Sequence, residues 1–504
     1  MIEVLEKFLT KDKSSEFRNH FYSHPNYPSL LAVTDSLTLS GIENIAANVP
    51  FVHFSHLPEL FMTELNIGNE PDYYLLKKDG ENVLIEDKHN KIKSVDSDKL
   101  AESWTGNCLL VEEDNYGSVT SKNITKRYFT YSLFLILTAA VMLFYQFDIF
   151  QSLYLLSSVA GIVVSVEIIR TSFLANNGHS ESKFCSFSKE FSCSSIINSN
   201  TGIISGYLGF TDLPIWFFSF SLLQLLVIHQ ASSLIGWFSV FSLPVVIYSL
   251  YVQKVLLKKW CLLCLLVSVL LIVNSLVFIM SSDKLSFQIS DLRTSSILIS
   301  LVGLGWFTYK KMSNKNIKNQ NELNSLLRFK RQEDTFYSVS KKIDYKEELM
   351  GLPKIHFGNS GTKNRLVLFL SPSCPHCHIA YQDAMQMIQK YPENIDLEIA
   401  FNLNINNTEN PFLIIAKTIM YLFNNGLKYE EAIDDWHVKK MKPEEWKDKW
   451  LSTDYNLVKE QGQLKEQYLW CTKNELNYAP AKIFNNQLVH ANYDINELFY
   501  FFRE

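Results

Sequence analysis

Between residues 128 and 309 the sequence runs in long stretches with almost no charge, and this limits the fold more than any other feature. A helix rises about 1.5 Å per residue, so ~20 consecutive apolar residues match the hydrocarbon core of a bilayer. Backbone polar groups cannot bond to water there, so such segments must be helical. The runs predict spans at roughly 128–147, 151–172, 212–230, 234–254, 261–281 and 294–309, the last of them short. The flanks have ordinary soluble composition. With 47 Lys and Arg against 52 Asp and Glu, the net charge is −5, which supplies no basic field for nucleic acid. The expected order is soluble, membrane, soluble.

Six spans place both termini, the long loop 173–211 and the start of the fifth span on one side of the membrane. Six of the eight cysteines fall into three close pairs: Cys185 with Cys193, Cys261 with Cys264, and Cys374 with Cys377. All three pairs therefore share a face. Close pairing suggests redox thiols or a metal site rather than a disulfide-stapled scaffold. Cys108 and Cys471 have no near partner in sequence and read as buried residues of their own domains.

The segment RLVLFLSPSCPHCHIAYQDAMQMIQKY reads as a buried strand, a turn and an amphipathic helix. Cys374 would sit at the helix N-terminus, where the dipole and free N–H groups stabilise a thiolate. His376 beside it can add positive charge. Cys-x-x-Cys is also a zinc-ligand spacing, but the strand before and the helix after favour redox chemistry. Cys261 and Cys264 stand in WCLLC at the mouth of the fifth span, where a lone cysteine would more often be a small apolar residue. Two of them, three apart, can form a disulfide at the membrane surface.

These residues carry two resemblances. The segment around Cys374-Pro375-His376-Cys377, with Ala479-Pro480 at the cis-proline position, resembles the thioredoxin-like disulfide oxidants. The loop pair, two spans, then Cys-x-x-Cys at the head of the next span resembles the vitamin K epoxide reductase family over about residues 151–309. Ser199, six residues after Cys193, matches that family's loop serine. The combination resembles its bacterial form fused to a thioredoxin-like domain. The resemblance implies a relay from reduced substrate proteins through Cys374–Cys377, Cys185–Cys193 and Cys261–Cys264 to a quinone, ubiquinone or menaquinone. Cys264 and Ser199 would face the quinone. Ser268 stands where the family often has a tyrosine, so oxidation of protein thiols is expected rather than turnover of vitamin K epoxide.

At the other end, SHPNYPSLLAVTDSLTLSGIENIAANV and ESWTGNCLLVEED resemble the papain-like peptidase domains that process bacteriocin leaders. Such a peptidase needs a thiolate, a histidine and an orienting acid. No cysteine precedes Cys108, the histidine position falls near Asp72, and only Asp87 remains. The resemblance implies a pseudopeptidase that binds a peptide or protein. His20, His24, His53 and His56 read as surface or packing residues.

The expected architecture is thus a multidomain membrane protein. It comprises a papain-like α/β domain over 1–120, a bundle of about six spans over 128–309, a linker over 310–350 and a thioredoxin-like α/β domain over 351–504. Alternative readings are a peptide-binding accessory for export or maturation of a cysteine-containing peptide, and a metal-binding membrane protein using Cys261, Cys264, Cys374 and Cys377. The N-terminal stretch lacks the apolar core of a signal peptide. Lys126, Arg127, Lys254, Lys258, Lys259, Lys310 and Lys311 cluster on the cysteine side, which the positive-inside rule assigns to the cytoplasm. Disulfide chemistry favours the opposite face. The expectation is a bacterial inner membrane with the redox pairs outside.

Overall fold

The computed structural model describes residues 2–5, 9–67, 71–79, 82–86, 92–112, 138, 142, 144–176, 203–205, 208–228, 233–280, 289–359, 361–407 and 409–502. Cys185, Cys193, Ser199 and Asp87, and most of the first predicted span, lie outside these residues. The chain divides into two compact units, residues 1–22 with 26–323, and 324–504 with 23–25.

The first unit begins with α1 (Ile2–Leu5), α2 (Lys11–Tyr22) and α3 (Leu30–Leu39). Ser29 caps α3 by accepting from the Ala32 N–H at 3.2 Å, and Gly41 leaves the helix at φ +68°, a left-handed geometry that glycine adopts without strain. Six antiparallel strands follow: β1 (Asn44–Asn48), β2 (Leu60–Leu65), β3 (Asp72–Asp79), β4 (Asn82–Glu86), β5 (Ile92–Asp96) and, after α4 (Ser97–Ser103), β6 (Trp104–Val111). Their order is β1-β6-β2-β3-β4-β5. β4 pairs along its length with β3, with Asp79 opposite Asn82. One sheet face packs on α2 and α3 through Phe17, Phe21, Val33, Leu37, Met62 and Leu109.

The membrane part contains α5 (Ile149–Asn176), a short hairpin of β7 (Ile203–Ser205) and β8 (Leu208–Gly209), α6 (Leu213–Ile228), α7 (Ser233–Tyr251), α8 (Leu262–Met280) and α9 (Ile289–Lys330). Among the described residues, three segments are long and apolar enough to cross a bilayer: Ile149–Ser172, Leu234–Leu256 and Leu262–Met280, with mean hydropathies of 2.0, 1.7 and 2.9. The third predicted span is the shorter apolar helix Leu213–Val227. The sixth lies inside α9, which continues as one helix to Lys330, into the stretch expected as linker.

Many apolar side chains on these helices face outward, among them Val166, Phe241, Ile247, Val269 and Leu276. In water such a surface would be costly, and in a bilayer it is the expected lipid face. Inside the bundle, close helix approach depends on small residues. A Cβ at Gly161 would stand 2.2 Å from the Phe218 ring, and one at Gly236 would stand 1.9 Å from Phe278. Asp212, buried at the start of α6, accepts from the Gly209 N–H at 2.8 Å and pairs with Lys310 of α9.

The second unit contains α10 (Glu333–Val339), β9 (Lys341–Lys342), α11 (Lys346–Gly351), β10 (Ile355–Phe357), β11 (Asn364–Leu370), α12 (Pro375–Lys390) and β12 (Ile395–Phe401). Four helices follow: α13 (Leu413–Asn424), α14 (Tyr429–His437), α15 (Pro443–Trp450) and α16 (Val458–Lys473), and then β13 (Ala481–Phe484) and β14 (Gln487–Leu488). The sheet order is β10-β12-β11-β13-β14-β9. Strands β11 and β12 are parallel, joined through α12, while β13 and β14 add antiparallel. A βαβ unit beside a ββ hairpin in this order is the thioredoxin-like fold. β11 has no exposed residue, which is why its sequence reads as a continuous apolar run rather than alternating.

Candidate redox sites

β11 ends at Leu370, and the chain turns through Ser371-Pro372-Ser373 into α12. Cys374 is the N-cap of α12, extended at φ −96° and ψ 117°, and Pro375 occupies the first helical turn, where its missing N–H costs nothing. Cys377 follows at the third helical position, its N–H bonded to the Cys374 carbonyl at 3.1 Å. The two sulfurs are not joined in a disulfide. Cys374 is half-buried, and its S–H donates to the Ala479 carbonyl at 3.2 Å, across the cis Ala479-Pro480 peptide. Cys377 is fully buried and accepts from the Ser371 N–H at 3.3 Å. Burial pushes the Cys377 thiol above the usual range; the Ser371 N–H opposes this and the neighbouring Cys374 sulfur reinforces it. One accessible sulfur beside one buried, proton-holding sulfur is the arrangement a dithiol needs to exchange in a fixed order. His376 is exposed on the first turn. The structure thus brings Cys374, Cys377 and Pro480 together, with His376 at the rim.

The second dithiol repeats this local device in the membrane unit. Cys261 caps α8, its carbonyl accepting from the Leu265 N–H at 3.0 Å. Its sulfur accepts from the Cys264 N–H at 3.3 Å, as a capping oxygen would at the third helical position. The residues before it make a single π turn, Val252–Leu256, which carries Gln253. The Gln253 Oε1 accepts from the Cys261 N–H at 2.9 Å, and its Nε2 donates to Ser249 Oγ at 3.1 Å. π turns of this kind often re-aim a side chain at a functional position. Cys261 is fully buried and Cys264 partly so, among Ile168, Phe217, Phe218, Val246, Leu250 and Val267.

Phe217 also lines an apolar cavity of about 130 Å³ with Trp216, Phe220, Phe238, Ile299 and Val302. The Trp216 Nε1 is buried with no hydrogen-bond partner. A space walled only by aromatic and aliphatic carbon fits a flat, apolar ring. Trp216 and Gln253 were not singled out by the sequence, since neither lies within a motif.

The other two cysteines among the described residues, Cys108 and Cys471, are buried in their cores. Cys108 lies opposite Thr63 in the sheet and donates to its Oγ1 at 3.5 Å, while Cys471 sits in α16. Burial raises both thiols above the usual range. Among the described residues, no group of three or more His, Cys, Asp or Glu gathers to hold a metal ion.

Residues 152–280 match the family model of the Vitamin K epoxide reductase family. No curated protein matches the chain. Solved structures similar to it include a periplasmic thioredoxin-like protein from Salmonella enterica serovar Typhimurium, 17% identical over 30% of this chain and 89% of that one, with a TM-score of 0.26. BdbD from Bacillus subtilis is 16% identical over 32% of this chain and 93% of its own, TM-score 0.24. The thiol-disulfide exchange protein alpha-DsbA2 from Wolbachia pipientis is 20% identical over 30% and 86%, TM-score 0.24.

Proposed function

We propose, from the match of residues 152–280 to the Vitamin K epoxide reductase family model and the three helices long and apolar enough to cross a bilayer, a membrane thiol–disulfide oxidoreductase that passes electrons from protein thiols to a quinone. The observation that carries this reading is the repeated dithiol. Cys374–Cys377 and Cys261–Cys264 each place the first thiol at a helix N-cap and the second at the third helical position, once in a thioredoxin-like unit and once in a membrane helix.

In this reading a substrate thiolate attacks Cys374 of the Cys374–Cys377 disulfide, and Cys377 leaves and takes up a proton. A second substrate thiolate then displaces Cys374, so the substrate is oxidised and the pair reduced. The reduced pair next reduces Cys185–Cys193. The Cys193 thiolate attacks Cys261, which forms a Cys193–Cys261 disulfide and frees Cys264; Cys185 then attacks Cys193, which restores the Cys185–Cys193 disulfide and releases Cys261, so that Cys261 and Cys264 are both thiols. A bound quinone supplies the acceptor for the two electrons and two protons of the resulting dithiol. Trp216, Phe217 and Phe220 would hold its ring, and Cys264 and Ser199 would act on it. Burial of Cys261 among apolar side chains keeps water from the last exchange.

We assign the N-terminal domain, residues 1–120, to docking of a peptide or protein and not to hydrolysis. The bundle over 128–309, the linker over 310–350 and the thioredoxin-like domain over 351–504 complete the proposed organisation. The protein is placed in a bacterial inner membrane with its redox pairs outside. A membrane-impermeant maleimide should label Cys374 in intact cells, and labelling only after lysis would reverse the orientation.

The decisive experiment follows quinone reduction by purified protein supplied with a reduced substrate protein. Cys264→Ala should abolish it while Cys374–Cys377 still exchanges with substrate. Undiminished quinone turnover by that variant would remove Cys264 from the route.

A further inference from the structure

The motif Cys374-Pro375-His376-Cys377 is followed by a second histidine, His378, at the fourth position of α12. Its Nδ1 lies 3.0 Å from the Nδ1 of His437, the last residue of α14. His437 is fully buried, packed on Tyr381 with ring centroids 5.2 Å apart, and its Nε2 has no hydrogen-bond partner. α14 is tied to the turn before α12 and to α12 itself. Trp436 Nε1 donates to the Pro372 carbonyl at 3.0 Å, and Gln382 Nε2 donates to the His437 carbonyl at 2.9 Å.

Two Nδ1 atoms at this distance share one proton, so one ring donates and the other accepts. Were His437 the acceptor, its Nε2 would carry a buried N–H with nothing to bond. Were it the donor, the orphan would be a bare acceptor, which proteins tolerate better. His437 therefore donates from Nδ1, and His378 accepts. His378 must then keep its proton on Nε2. A helical side chain leans over the turn that precedes it, and for His378 that turn starts at Cys374.

We propose that His378 and His437 are positioning residues that hold one tautomer and so present a neutral N–H donor to the Cys374 end of the dithiol. The inference rests on Cys374–Cys377 being the redox pair. The donor would stabilise the Cys374 thiolate as it forms or leaves. It adds to the helix N-terminus without placing a charge in the core. The surroundings keep the pair uncharged near neutral pH. Burial lowers His437 to about 3, with His378 adding to this, and burial followed by Lys440 lowers His378. The nearby carboxylates are engaged elsewhere. Asp434 accepts from the Tyr381 hydroxyl at 2.7 Å, and Asp435 is held by Lys439, Lys449 and Trp450. Glu430 acts on Tyr381. On α12 itself the other titratable groups toward this end are Cys374, His376 and Cys377.

The test uses the full-length reduced protein in detergent. Iodoacetamide alkylation of Cys374 is followed by mass spectrometry across pH. His378→Leu and His437→Leu should each move the midpoint of the rate–pH curve upward by about one unit, the size of one hydrogen bond to a charged sulfur. His378→Gln keeps a side-chain N–H and should restore most of the shift. A purely packing role predicts a lower melting temperature with the midpoint unmoved, and that result would overturn the proposal. If His437→Leu does not fold, the half-exposed His378 variants decide alone. Failure of the parent Cys374–Cys377 pair to cycle between dithiol and disulfide in a glutathione buffer would instead overturn the redox reading itself.

Discussion

The Cys264 backbone N–H donates to the Cys261 sulfur at 3.3 Å, so the first sulfur of the membrane pair is held over the first turn of its helix by the backbone of the second cysteine. This fixes the pair at the end of α8, where Cys261 touches residues of α5, α6 and α7 through the surrounding apolar cluster. In the thioredoxin-like unit, the Cys377 N–H instead bonds to the Cys374 carbonyl, and the Cys374 sulfur points to Ala479. The two dithiols share a helix position but differ in what the first sulfur meets.

Because Cys377 is buried and Cys374 is the sulfur a partner reaches, Cys377→Ala should accumulate mixed disulfides between Cys374 and substrate proteins. Non-reducing gels followed by mass spectrometry would detect them. Their absence, with Cys374 free and reduced, would show that substrates do not enter through this pair.

The pH dependence of the reduced form follows from the Cys377 thiol. Burial favours its uncharged state, so the folded chain holds the proton more tightly than the unfolded chain. The stability from this group is full below the ordinary thiol pKa of about 8.5 and falls as pH rises through and beyond it. The melting temperature of the reduced protein should therefore fall between about pH 8 and pH 10. Cys377→Ala should flatten that part of the slope; Cys471 and Cys108, also raised by burial, account for a remainder.

Ser199 tests the loop assignment taken from its spacing to Cys193. Loss of one neutral hydrogen bond costs only about 0.5–1.5 kcal/mol of stability, whereas the same loss in a transition state slows a step about tenfold per 1.4 kcal/mol. Ser199→Ala should leave the protein folded and slow quinone reduction several-fold, with exchange at Cys374–Cys377 unchanged. Equal quinone turnover under saturating dithiol would assign the serine no role in the reaction.

The N-terminal domain should not cleave double-glycine leader peptides. Its one cysteine is buried opposite Thr63 in the sheet, and burial raises its thiol, which disfavours a nucleophilic thiolate. Cleavage that persists in Cys108→Ala would identify another nucleophile and a working peptidase.

The sequence by itself determined the membrane region, because a bilayer demands uninterrupted apolar length and leaves that demand visible in composition. It also located both described dithiols, since a helix start, its N-cap and the third helical position are local in sequence: Cys374 and Cys377, like Cys261 and Cys264, need only three residues of spacing. The cis-proline position, Ala479-Pro480, came from the resemblance to the thioredoxin-like oxidants, and the peptide is cis. What meets each sulfur was decided only by tertiary structure. Gln253 reaches Cys261 through a π turn, Ala479 meets Cys374 from the bend before β13, and His437 comes to His378 across 59 residues of chain. The continuation of the last span as a helix to Lys330 was also not legible, because the charged residues after Lys310 read as linker when considered alone. Local hydrogen bonding writes itself into short spacings, whereas contacts between distant elements depend on how whole helices and strands pack, and no single motif records that.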